Sequence, residues 1–387
     1  MRAPPSLPHL IVLAALPTLT LNMFLPSLPA IAAEFGVSYR IAGLSIGLYL
    51  ALTAVLQLLI GPISDLVGRR PVLLGSLGIF TLASLGCALA PSFDVFLILR
   101  LMQGPAVAGY ALSMAMVRDT RGGTAAVGVI GTINAIMAVA PMVGPVIGGG
   151  LDAVLGWRAI FAVYAVAGAG LWAVTWHRLA ETRPARATAQ KLRPTALLRL
   201  PLFWGYALCG AFSVSAFYIF ITGTPLVAAA VFDVGAGTIG VLVGSITAGF
   251  ILGSLVTRRL SGRVETLSLI LTGRVVATGG LSLALLAAVL GPVSGVITFA
   301  GTMCVGIGNG LTMPGCSAGA MSVRPDLAGS AAGLFGAMTV GMGAIATTLA
   351  SAVLDISPTV PALLALMVCV TCGSLLAALY VWRAQPR

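Results

Sequence analysis

The sequence predicts an all-α membrane protein, with twelve transmembrane helices arranged as two pseudo-symmetric six-helix bundles. Three observations lead there. Of 387 residues, 59% are hydrophobic and only 8% are charged, where a soluble domain carries about a quarter charged. Such a chain has too little polar surface to face water, which excludes a soluble enzyme. Apolar runs of the ~20 residues that a bilayer crossing needs recur along the chain, with room for twelve. One polar stretch, from Arg178 to Arg199, divides them six and six. The runs are continuously apolar and too long for barrel strands, so strands are excluded as the main element.

The first run covers 8–32. Arg2, the apolar stretch and Ala30-Ile31-Ala32 imitate a signal peptide with its cleavage site. The run is too long for that, carries Pro17 and Asn22, and is followed by further spans, so it reads as the first transmembrane helix. Runs at 40–61, 71–91, 94–117, 125–150 and 157–178 complete a first domain, residues 1–178. The linker, 179–200, holds Glu181, Arg183, Pro184, Arg186, Gln190, Lys191, Arg193 and Pro194. The second domain, 201–387, contains runs at 201–227, 237–257, 266–290, 293–318, 328–354 and 359–382. An echo supports a duplicated half. Gly61-Pro62-Ile63-Ser64-Asp65 leads into Gly68-Arg69-Arg70 after the second run. Gly253-Ser254-Leu255-Val256-Thr257 leads into Arg258-Arg259 after the eighth, 192 positions later.

The net charge is +11, from 21 basic and 10 acidic residues. In a soluble protein that excess would suggest nucleic acid; here it reads as topology. Seventeen basic residues fall on the side of both termini and the linker, Arg40 and Arg158 on the other, and Arg100 and Arg274 inside runs. Cytoplasmic loops carry the Arg/Lys excess, so both termini and the linker are expected in the cytoplasm of a bacterium, with the protein in its inner membrane. Arg274, about two turns inside the ninth run, is expected to snorkel to the cytoplasmic face. Six cysteines lie in or beside apolar runs; even Cys369 and Cys372, a C-x-x-C, have no nearby charge to activate a thiol and read as packing residues.

Three segments carry most of the functional information. In Gly61 to Arg70, small residues suit a tight loop, Asp65 is placed to cap a helix or pair with a base, and Arg69 and Arg70 suit anionic headgroups. In Arg100-Leu101-Met102-Gln103-Gly104, an arginine sits in the outer half of the fourth run. There it costs ~2.5–3.5 kcal/mol on insertion scales unless it faces a polar cavity; snorkelling towards Asp94 is the plain alternative. In Ala140 to Gly150, Pro141 and Pro145 kink the fifth helix, while Gly144, Gly148 and Gly149 let a neighbour approach closely. A generic packing kink is the alternative there.

Together these segments resemble the major facilitator superfamily, in its twelve-span drug:proton antiporter group. More narrowly, they resemble the Bcr/CflA-like efflux branch, which includes bicyclomycin, chloramphenicol and florfenicol exporters. GPISDLVGRRP is similar to the family's loop motif, RLMQG to its fourth-helix motif and APMVGPVIGG to its fifth-helix antiporter motif. Gly156-Trp157-Arg158-Ala159-Ile160-Phe161 fits the stretch into the sixth span. The resemblance implies that Asp65 and Arg69 organise a gating loop, together with Gly61, Gly68, Arg70, Pro141, Gly144, Pro145, Gly148 and Gly149. Leu66 replaces a usual basic residue and Ala140 a usual glycine. The serious departure is Asn22, in Asn22-Met23-Phe24-Leu25-Pro26, where the family has a proton-binding carboxylate. None of the ten acids falls at mid-span.

Polar residues within spans usually face the interior, which nominates Asn22, Tyr49, Arg100, Gln103, Asn134, Thr222 and Asn309 for a substrate cavity. Phe217, Tyr218 and Phe220 are expected to add an aromatic wall for an apolar substrate. The expected function is secondary transport: export of small, largely apolar drugs or metabolites by alternating access, driven by proton antiport. An uncoupled facilitator or an anion exchanger is the alternative, because of Asn22. An intramembrane enzyme lacks its dyad, and a receptor or scaffold would not need the kinked helix or the buried arginine. No nucleotide-binding loop is present, which argues against ATP. No cofactor, metal or nucleic acid is expected; the partners are a small-molecule substrate and the bilayer, and the chain is expected to act as a monomer.

Overall fold

A computed structural model describes residues 5–120, 129, 132–133, 137, 140–182, 197, 199–232, 236–324 and 327–384. Asn134 lies outside them. The described residues form twelve helical rods. α1 is Leu7–Phe35, α2 Tyr39–Val67, α3 Arg69–Ala88 and α4 Phe93–Val117. α5 is Ala140–Leu155, α6 Arg158–Arg178, α7 Pro201–Phe232 and α8 Ala236–Leu260. α9 is Thr266–Leu290, α10 Gly295–Ser322, α11 Ala328–Ile356 and α12 Val360–Ala384. Ten of the described helices are long and apolar enough to cross a membrane. Large apolar side chains such as Leu82, Val154, Val166, Leu283 and Ile356 stand exposed along the rods, as lipid-facing surface requires.

Two rods are not continuous. α1 runs helically to Asn22, passes through a 3-10 turn at Leu25–Ser27 and resumes over Leu28–Phe35. α4 breaks in the same way, at Gly104–Val107. Pro26 and Pro105 sit inside these turns; each removes an N–H and leaves the carbonyl four residues earlier without its helical donor. Conversely, the Gly61-Pro62-Ile63-Ser64-Asp65 stretch is not the loop that its small residues suggested. α2 continues through Pro62 to Val67, with the Ser64 hydroxyl donating to the Gly61 carbonyl at 2.8 Å. The turn reduces to Gly68, whose φ of +113° suits only glycine.

α1 packs on α4 and α5, and α3 on α6. In the other half α7 packs on α10 and α12, and α9 on α10 and α12. The halves meet along two seams, α2 against α11 and α5 against α8. His9 of α1 lies 3.2 Å from Thr175 of α6, and Gly205 of α7 abuts Val381 of α12. Both chain ends therefore share one face with the linker, the linker side. The α2–α11 seam is closed on the far side. There the Tyr39 hydroxyl donates to the Thr222 carbonyl, the Arg40 amide donates to Asp355 at 3.2 Å, and Gly43 and Gly47 press on Ser351 and Thr348. Nearer the linker side a Cβ on Gly336 of α11 would still lie 3.7 Å from Gln57 of α2, while one on Gly61 or on Gly333 would meet nothing within 4 Å.

Candidate functional site

The breaks in α1 and α4 meet around Arg100. Its side chain is fully buried, so it neither snorkels towards Asp94 nor opens to solvent. Nη1 donates to Gln103 Oε1 at 2.5 Å and Nη2 to the Thr20 carbonyl at 3.0 Å. Gln103 in turn donates to the Ser84 hydroxyl at 2.7 Å, which donates to the Phe80 carbonyl. The guanidinium lies between two rings, 4.3 Å from the Phe24 centroid and 4.2 Å from that of Tyr49. Two desolvated cation–π contacts at ~2 kcal/mol each offset the ~2.5–3.5 kcal/mol of placing an arginine at this depth. Three polar atoms here are buried without a partner among the described residues: Arg100 Nε, the Tyr49 hydroxyl and Asn22 Oδ1. Asn22 Nδ2 donates back to the Thr18 carbonyl at 2.7 Å, so Arg100 bonds the α1 backbone rather than the Asn22 side chain. None of the described acids lies within a salt bridge of Arg100.

α5 wedges this site from behind. The position for a Cβ on Gly144 is 3.0 Å from Asn22 Cβ, and on Gly148 it would overlap the Met23 carbonyl. Only glycine allows that approach, which is how the fifth-helix segment bears on the broken helix. Pro145 and Gly149 are buried in the same helix; Pro141 stands in its first turn.

Other nominated residues go elsewhere. Asn309 does not join the Arg100 group: it accepts from Arg274 Nη2 at 2.8 Å and donates to the Ser213 carbonyl at 3.0 Å. Arg274 does not snorkel; it is fully buried. Its Nε donates to Thr312 at 2.8 Å and its Nη1 to Ser374 at 3.4 Å. The reason is local: α7, α9, α10 and α12 each supply a polar group at one depth. Thr222 lies on the far-side seam, 3.5 Å from Thr347. Phe217 and Tyr218 pair at 5.7 Å, but Phe220 turns to Phe299 at 6.3 Å. These three rings therefore do not stack as one wall: Phe220 is drawn to Phe299 of α10.

On the linker side, Arg69 binds Asp65 at 2.6 Å, Asp119 at 3.1 Å and the Ser64 hydroxyl at 2.5 Å. The cap of α3 is Glu181, not Asp65: its carboxylate accepts from the Arg69 and Arg70 amides at 2.9 and 3.1 Å. Arg70 lies over Trp176 and donates to its carbonyl, rather than reaching away to headgroups. On the far side, Glu34 takes Arg158 at 3.0 Å and the Trp157 indole at 2.6 Å. The sequence offered a signal for Asp119 and Glu181, since both are isolated acids in strongly basic stretches. It offered none for Thr20, Ser84, Thr312 or Ser374.

The described residues contain no cluster of His, Cys, Asp or Glu able to hold a metal. A model of the Major Facilitator Superfamily matches residues 10–348. An uncharacterized MFS-type transporter of Bacillus subtilis (strain 168) is 32% identical over 87% of this chain and 86% of its own. A chloramphenicol resistance protein of Pseudomonas aeruginosa is 37% identical over 54% of this chain, and the match spans about half that relative's length, 51%. The multidrug transporter MdfA of Yersinia pestis is 29% identical over 65% of this chain and 63% of its own. Among solved structures, a bacterial homolog of the human lysosomal transporter Spinster superposes with a TM-score of 0.77, at 17% identity, over 98% of this chain and 96% of its own.

Proposed function

Since this chain belongs to the Major Facilitator Superfamily and is a multi-pass membrane transporter rather than an enzyme, we propose that it exports small, largely apolar drugs of the chloramphenicol kind by alternating access. We place it in the Bcr/CflA-like branch, in a bacterial inner membrane, with both termini and the linker cytoplasmic. One observation carries this reading. A fixed guanidinium with no described acid beside it sits at the breaks of α1 and α4, inside halves whose α2–α11 seam is closed on the far side. Its unpaired Nε and the nearby Tyr49 hydroxyl suit the acceptor groups of a neutral or anionic amphipathic molecule. An unbalanced positive charge disfavours cations.

Proton antiport is the coupling we favour, because the α5 wedge resembles that of antiporters. Uncoupled or anion-exchange transport is the second reading, and the absence of a carboxylate beside Arg100 favours it. Glu34 is committed to Arg158 and Trp157, while Asp94 stands exposed in the first turn of α4. The deciding measurement is chloramphenicol uptake into inverted vesicles, with substrate-driven proton release recorded in wild type, Asn22→Asp, Glu34→Gln and Asp94→Asn. Antiport expects proton release in wild type, lost in one acid variant and increased by Asn22→Asp. Uptake without proton movement in every variant leaves the facilitator reading; no uptake of any amphipathic drug removes both. A reporter enzyme active only outside the cytoplasm, fused after Arg387, is expected to be silent; activity there reverses the orientation.

A further inference from the structure

A groove of about 690 Å³ runs along the outer surface between α7 and α12, away from the Arg100 site. Trp204, Leu208, Phe212 and Leu376 form its apolar walls, Tyr380 stands near its linker-side end, and Arg199 stands at that mouth. From Pro201 to Phe212 the groove follows α7 for roughly 17 Å at 1.5 Å per residue, about the ~15 Å depth of one leaflet's hydrocarbon. Its floor is closed. Gly205 lies tight against Val381, a Cβ there falling 2.6 Å from Cγ2, and Gly373 lies beneath the Phe212 ring at 3.4 Å. An occupant therefore lies in the groove rather than passing through it.

The mouth is basic. Arg199 is exposed, and Arg383, in the last turn of α12, stands three residues beyond Tyr380 and so on the same helix face. None of the described residues lining the groove is acidic. Trp and Tyr favour the headgroup level, and exposed arginines there attract anionic lipid. We propose that this groove is a binding site for one anionic phospholipid of the linker-side leaflet, its acyl chain along α7 and its phosphate held by Arg199 and Arg383. The site is separate from the transport pathway.

Trp204 makes the proposal directly measurable. The full chain carrying Trp157→Phe, Trp172→Phe, Trp176→Phe and Trp382→Phe retains Trp204 as its one reporter. It is reconstituted in phosphatidylcholine with rising fractions of brominated phosphatidylglycerol or, separately, brominated phosphatidylcholine. Half-quenching by the anionic lipid is expected at about a fivefold lower mole fraction, and the preference should vanish in Arg199→Gln/Arg383→Gln. Should the reporter chain not fold, Trp157 is restored; it is buried on the far side and adds only a constant background. Native mass spectrometry of the otherwise wild-type chain gives an independent readout: phosphatidylglycerol retained over phosphatidylcholine, and lost in the double variant. Equal quenching by both lipids would mean ordinary annular lipid and overturns the proposal. No quenching by either would mean that protein, such as a second copy, covers the groove, and a preference that survives the double variant removes the arginines from it; both outcomes also overturn it.

Discussion

Among the described residues each half of the molecule buries one arginine completely, and the two are held in opposite ways. Arg274 of α9 is held by neutral acceptors on α10 and α12, and each of its three nitrogens has a partner. Arg100 leans on two aromatic faces and a helix-break carbonyl, and its Nε has no partner among the described residues. Its neighbours also differ in kind: α1 and α4 are broken beside it, whereas α9 and α10 run unbroken past Arg274. A satisfied charge in unbroken helices rigidifies a bundle. A charge left short of one bond at two breaks is suited to exchange partners. On the proposed function, the contrast gives stability to the C-terminal arginine and transport to the N-terminal one, a division that substitutions can test.

The largest expected effect tests the stability side. Arg274→Ala leaves Asn309 Oδ1 without a donor, whereas Thr312 and Ser374 keep their bonds to the Ile270 and Cys209 carbonyls. One buried orphan at ~1–3 kcal/mol and the cavity left by a large buried side chain make a loss of about 3–5 kcal/mol, which should leave little folded protein. Thermal unfolding in detergent reads this directly. Normal unfolding with lost transport would exchange the roles of the two arginines. Next comes Arg100→Lys, which keeps the charge but not the planar face between Phe24 and Tyr49. Transport is expected to fall about tenfold, the equivalent of ~1.4 kcal/mol, with little change in the unfolding midpoint; full activity in Arg100→Ala would remove it from the pathway.

The linker-side turns extend the same asymmetry. In the N-terminal half, Asp65, Asp119 and Glu181 gather round Arg69 and the α3 amides; the corresponding Arg258 and Arg259 stand exposed. Asp65→Asn should lower transport several-fold at unchanged membrane levels, if this turn steadies one state of the alternation. Glu181→Gln, which weakens an exposed cap, should cost ~0.5–1 kcal/mol of stability, visible as a small fall in the unfolding midpoint. Arg258→Gln should do neither. Equal effects in both halves would mean that the turns are plain headgroup anchors.

Hydropathy and charge placement sufficed for the all-helical, membrane-spanning character, because lipid demands long apolar helices whatever the tertiary contacts; the resemblance of three motifs, not hydropathy, pointed to the transporter family. The motifs singled out Arg100, Gln103, Asp65, Arg69 and Gly148, and each makes a specific contact in the fold, since residue type at depth is itself an energetic signal. Partnership was not legible. Arg100 and Arg274 look alike in one dimension, as single arginines in apolar runs, and only packing separates the unpaired one from the satisfied one. Asn309 is a polar residue in a span, like Asn22, yet its hydrogen bonds lie wholly within the other half. Nor did the small residues of Gly61 to Asp65 announce a helix. Tertiary structure decided these points because a buried polar group is stabilised by whichever carbonyl, hydroxyl or ring stands within about 3–4 Å. For Arg100 the deciding groups are Thr20 and Phe24, roughly eighty positions away along the chain.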